Sequence, residues 1–101
     1  MADTLKTMGA GTFTTTEATL YTVPASTKGI VSAIQLCNLS SSDLYVDLKF
    51  DGVPVVYHHD IPGYNALVIK PGAVLEAGKT IKGTGEADSA LTYHVSGIEV
   101  T

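Results

Sequence analysis

The run Asp43–Asp51 constrains this chain more than any other feature. Leu44, Val46, Leu48 and Phe50 fall on one side of an extended backbone; Asp43, Tyr45, Asp47, Lys49 and Asp51 fall on the other. Successive side chains of a strand point to opposite faces, so strict alternation predicts one face in a core and one in water. Asp51-Gly52 follows, a pair that tolerates the positive φ of a tight hairpin turn, and Val53–His59 reads as the returning strand. Pro54 lacks an N–H, which places that strand at a sheet edge or makes the proline its start.

Similar signals recur on both sides of this hairpin. Leu20–Val23 is short and ends at Pro24. Gly29–Asn38 is long and apolar, with Ile30, Ile34 and Leu36 of one parity and Val31, Ala33 and Cys37 of the other. Apolarity on both sides predicts cover on both faces, from the partner sheet and from a loop or another subunit. Ser40–Asp43 and Ile61–Gly63 are turn clusters. Asn65–Lys70, Ala73–Leu75 and Thr80–Lys82 read as further short strands, and Gly83–Asp88 as a loop. In the last strand Leu91, Tyr93 and Val95 share one parity while Ile98 and Val100 have the other. A β-bulge at Gly97 would return both groups to one face. No i, i+3, i+4 apolar period is sustained, so the expectation is all-β: a single antiparallel β-sandwich, jelly-roll-like, of about eight short strands. Residues 18–101 form that domain. Residues 1–17, rich in Gly, Thr and Ala, show no convincing strand period. They are either a frayed terminus or an arm that orders on a neighbouring subunit.

Composition narrows the function classes. The chain has 101 residues, a net charge of −4, six lysines and no arginine. The lysines are scattered, and phosphate neutralisation needs clustered cations, so no nucleic-acid partner is expected. No stretch approaches the ~20 apolar residues of a membrane helix, and residues 1–8 lack the apolar run of a secretory leader. A lone cysteine, Cys37, excludes an intrachain disulfide.

Motifs that resemble catalytic or metal sites fail on physical grounds. Ala73–Thr80 fits a relaxed phosphate-loop pattern, but Ile81-Lys82-Gly83-Thr84-Gly85 cannot form the helix such a loop opens, and Glu76 would set a carboxylate against the phosphates. His58 and His59 point to opposite faces of a strand. His58 and Asp60 share a face, and His94 joins them only if its strand is adjacent; a metal site needs three or four converging ligands, so none is expected. No serine sits in a nucleophile elbow, and Asp43, Asp47 and Asp51 read as a solvated face. Asn38-Leu39-Ser40 is formally a glycosylation sequon. Neither enzymatic activity nor a cofactor is expected. Tyrosines bury area at low entropic cost and keep a hydroxyl for hydrogen bonding, which marks Tyr21, Tyr45 and Tyr64 as interface candidates, with Phe13 of the N-terminal segment.

The segment Thr19-Leu20-Tyr21-Thr22-Val23-Pro24-Ala25, continued by Ile30–Asn38 and the Ser-rich turn, resembles small virion structural proteins of tailed bacteriophages. So do Val74–Gly85 and the closing Leu91–Val100. The resemblance spans roughly residues 18–101 and consists of strand and turn residues without a catalytic signature. It implies a β-sandwich that acts by assembly, located in the virion: a head decoration or cement protein on the major capsid protein, or alternatively a neck, tail or fibre component. It further implies a dimer or trimer in which residues 1–17 are a flexible arm. A carbohydrate-binding module is a weaker alternative, since tryptophan is absent. A small cupin-like enzyme using His58, His59 and His94 is another.

Overall fold

Strands pair from the two ends of the chain inwards, as in a long hairpin rolled up on itself. In the computed structural model, which describes residues 3–101, β1 (Asp3–Thr12) pairs with β9 (Leu91–Val100), and β2 (Ala18–Thr22) pairs with β8 (Thr80–Gly85). Inside them, β3 (Lys28–Asn38) pairs with β6 (Ala66–Ile69) and β7 (Ala73–Leu75), and β4 (Leu44–Phe50) pairs with β5 (Val53–Ile61). Rolling joins β9 to β3 and β8 to β4. The first sheet has the order β1-β9-β3-β6, with β7 also on β3; the second has β2-β8-β4-β5. All pairings are antiparallel, and this order is that of a jelly roll. β6 and β7 lie along one strand of that roll, interrupted where Pro71 offers no N–H and Gly72 takes a φ of +61°.

The core lies between the sheets. Val31, Ile34, Leu36, Leu91 and Val95 from the first sheet meet Val46, Leu48, Phe50 and Ile81 from the second. The Leu44–Phe50 alternation appears as expected, apolar side chains buried and the intervening ones half-buried. Asp51 and Gly52 both have positive φ (54° and 74°), the signature of a type I′ hairpin turn. β5 is an edge strand, one of the two placements that Pro54 allows.

Four expectations need correction. The segment 1–17 contains an edge strand: Asp3–Thr12 runs antiparallel to β9 over ten residues. Met1 and Ala2, the start of the expected arm, lie outside the described residues. β8 continues through Gly83 and Gly85, which had read as loop. Both glycines face inward, where a Cβ would stand 2.6 and 2.9 Å from Phe13. Phe13 fills the space they leave.

The bulge expected at Gly97 lies instead in the strands on either side of β9. Register slips by one between Thr7 and Gly9 of β1 and between Val31 and Ala33 of β3, while β9 stays regular. Gly97 faces inward, and a Cβ there would lie 2.1 Å from the Ile30 carbonyl oxygen and 2.8 Å from the Met8 methyl. A glycine admits that close approach, and Ile98 and Val100 consequently face outward. The bulge in β3 also re-sorts that strand. Val31, Ile34 and Leu36 face the core, and Ile30, Ala33 and Cys37 face out.

Candidate interaction surfaces

Two of the four aromatic residues expected at an interface are interior. Phe13 is 1% exposed and tilts against Tyr93 with ring centres 5.0 Å apart. Its N–H donates to the Leu91 carbonyl, and its carbonyl accepts from the Ser89 N–H, so the crossing from β1 to β2 is pinned between the sheets. Tyr21 is buried, and its hydroxyl donates to Glu99. That bond joins β2 of the second sheet to β9 of the first, and Lys6 of β1 completes the clasp, its ammonium 3.3 Å from each Glu99 oxygen. The Tyr21 hydrogen bond, with help from Lys6, holds the Glu99 carboxyl below its ordinary range against a smaller opposing effect of burial. Burial, then the Glu99 hydrogen bond and charge, push the Tyr21 hydroxyl above its own.

The other two are on the surface. Tyr64 is 75% exposed on the turn between β5 and β6, at a φ of 58°, with its N–H donated to the Ser40 carbonyl. That turn is anchored by Asn38, whose buried amide donates to the Ser42 and Ile61 carbonyls and accepts from the Ser40 N–H and hydroxyl. Both Asn38 amide protons are thus committed inside the fold. Tyr45 projects from β4 and stacks on His58 of β5, ring centres 4.2 Å apart.

His58 also stacks on Tyr57, again at 4.2 Å and within 4° of parallel, and Asp47 receives its backbone N–H and lies 2.8 Å from its Nδ1. This Tyr45–His58–Tyr57 stack was not legible from the hairpin alone. An unbulged hairpin would set Leu48 opposite Val55 and Val46 opposite Tyr57. Two bulges in β5 place Leu48 opposite Val56 and Val46 opposite His59, and His58 takes a positive φ of 48°. His94 stands on β9 in the other sheet, so the histidines do not converge, and no group of three or more His, Cys, Asp or Glu side chains able to hold a metal occurs among the described residues.

The outer faces of the two sheets differ in chemistry. Across the second sheet, Lys82 lies opposite Lys49 and Thr84 opposite Asp47, and Lys49 is paired with Glu17 at 2.9 Å. Across the first sheet, Leu5 lies opposite Ile98, Ile98 opposite Ile30, and Ile30 opposite Val74. Residues directly opposite share a face, so four aliphatic side chains form one row across four strands. Leu5 is 84% exposed and Val74 57%. Beside the row, Ile30, Val74 and Val100 line a groove of about 560 Å³ whose rim carries the Lys28–Glu76 pair at 3.9 Å. Scattered apolar residues are normal on a surface; here four fall in one row, exposed at Leu5 and Val74 and half-buried at Ile30 and Ile98.

The sequence matches no model of a known protein family, and no curated protein matches it.

Proposed function

We propose that this protein is a non-enzymatic structural component of a tailed-phage virion, a decoration or cement protein that binds the major capsid protein at the head surface and self-associates. The observation that carries the reading is the aliphatic row Leu5–Ile98–Ile30–Val74 with its adjoining groove, a surface built for contact. The jelly roll supports it by analogy only, since capsid domains use this architecture and so do lectins and cupins. The strand-and-turn resemblance to small virion proteins points the same way. In this reading the protein acts by binding energy: a ligand that favours the assembled shell over its ruptured form stabilises the shell in proportion to that preference.

The test is add-back to heads purified without the protein. The expected result is stoichiometric binding that raises the temperature at which DNA escapes, and loss of binding for Val74→Asp. Heads that rupture at the same temperature with and without bound protein would refute the cement role. Binding at the tail or neck would move the protein to the alternative station.

The Tyr45–His58–Tyr57 stack favours a second reading, a glycan-contacting virion component, because Tyr57 presents an exposed ring on a rigid backing. Calorimetry against a glycan panel tests it, with binding abolished by Tyr57→Ala as the supporting result.

A further inference from the structure

A β-sheet edge is a template for pairing unless something blunts it, through proline, bulges, shortness or charge. This sandwich has four edges, and three are blunted. β5 carries Pro54 and two bulges. β2 has five residues with a register slip at its centre. β6 and β7 have four and three residues, with Pro71 between them. β1 is different. It runs ten residues without proline, and its one bulge, after Thr7, leaves Asp3–Thr7 in unbroken register with β9. The Lys6 ammonium turns back onto Glu99 within the same sheet, so its charge does not guard the edge. Among the described residues, no strand pairs with the other side of β1.

We infer that the occupant of this edge is β1 of a second copy, paired antiparallel about a two-fold axis at Leu5. The register argues for a second copy. With Leu5 opposite its symmetry mate, Asp3 faces Thr7 and Thr4 faces Lys6, so no like charges oppose one another, and a two-fold contact closes after two subunits. Leu5, the most exposed large apolar side chain among the described residues, gains an apolar partner across the axis. The two aliphatic rows then join into one, running Val74–Ile30–Ile98–Leu5 and back through the same residues of the second copy. Both grooves remain open on the same side of the extended sheet. A contact limited to one strand edge is smaller than the roughly 1,200–2,000 Å² of stable interfaces, so the dimer is weak in free solution. This inference stands on the edge geometry and does not depend on the virion reading.

The test is site-directed cross-linking in a Cys37→Ser background, using a short bismaleimide and single cysteines at Leu5 or Val74. Both positions are exposed on the same face, but only Leu5 lies on the proposed axis. The expected result is that Leu5→Cys dimerises at least about tenfold faster than Val74→Cys, since directly opposed strand positions hold their Cβ atoms within about 5 Å. Sedimentation of the parent protein at high micromolar concentration is expected to show a monomer–dimer equilibrium that Leu5→Lys abolishes while leaving thermal unfolding unchanged. Equal cross-linking at the two positions, or a protein that stays monomeric at every concentration, overturns the inference. Faster cross-linking at Val74 overturns it in favour of a face-to-face dimer. Head binding is read with the parent protein and not with Leu5→Lys, because Leu5 also belongs to the row proposed to contact the head, so failure of the dimer and failure of the virion reading remain distinguishable.

Discussion

The two sheets solve the same packing problem inward and opposite problems outward. Each contributes buried aliphatic side chains to one shared core. Outward, the second sheet presents Thr84, Asp47, Lys82 and Lys49 on β8 and β4, while its edge strand β5 exposes Val53, Val55 and Tyr57 and is broken by a proline and two bulges. The first sheet presents Leu5, Ile98, Ile30 and Val74 and ends in the long strand β1. A surface meant only for water needs the first kind of finish. The second kind costs solubility and exposes an edge, and it is the basis for proposing that another molecule supplies the cover.

The strongest challenge to this comparison is at the shared core. Phe13→Ala is expected to lower stability by about 3–5 kcal/mol, because Gly83 and Gly85 cannot close over the void. Urea denaturation checks this, and a loss below about 1 kcal/mol would return Phe13 to the role of an exposed anchor.

Gly97→Ala probes the first sheet alone. Its Cβ would collide with backbone, at the Ile30 carbonyl, so a loss of about 3 kcal/mol is expected. Backbone amide exchange should show β1 and β3 opening before β4 and β5. Uniform loss across both sheets would contradict the assignment.

The clasp between the sheets sharpens the comparison through pH. The Glu99 carboxyl is held below its ordinary value of 4.5, so it stabilises the fold at neutral pH, and that contribution is lost as pH falls below this value. Tyr21 is displaced upward from 10.0, so its contribution is present below pH 10 and lost as pH rises beyond it. Tyr21→Phe is expected to flatten the acid limb of stability against pH, as measured by urea titration from pH 6 to about 3. An unchanged limb would show that the clasp does not link the sheets energetically.

Smallest in stability is Tyr57→Ala, on the outer side of β5, expected to cost about 0.5 kcal/mol or less in thermal denaturation, given 73% exposure. A loss near that of a core residue would mean that the aromatic stack is structural.

Legibility followed how much of each element's stability is encoded in its own side chains. The β4–β5 hairpin was plain because Leu44–Phe50 alternates strictly and Asp51-Gly52 supplies its turn. β1 was not, because Thr, Gly and Ala carry little pattern, and the strand is held by pairing with β9 and by the Lys6–Glu99 contact. The parity change at Gly97 was visible, but one strand cannot reveal whether the bulge is its own or its neighbours'. Tyr21 read as a surface aromatic because its partner, Glu99, is 78 positions away. The aliphatic row was visible only as excess apolarity in Gly29–Asn38, and its alignment with Leu5, Val74 and Ile98 depends on registers among four strands. The Tyr45–His58–Tyr57 stack needed the two bulges of β5.

Hydroxyl-radical footprinting of the protein free and bound to heads tests the central claim most directly. The prediction is that Leu5 and Val74 become protected on binding while Tyr57 remains as reactive as in the free protein. Protection of Tyr57 with Leu5 and Val74 unchanged would place the contact on the second sheet and contradict the account.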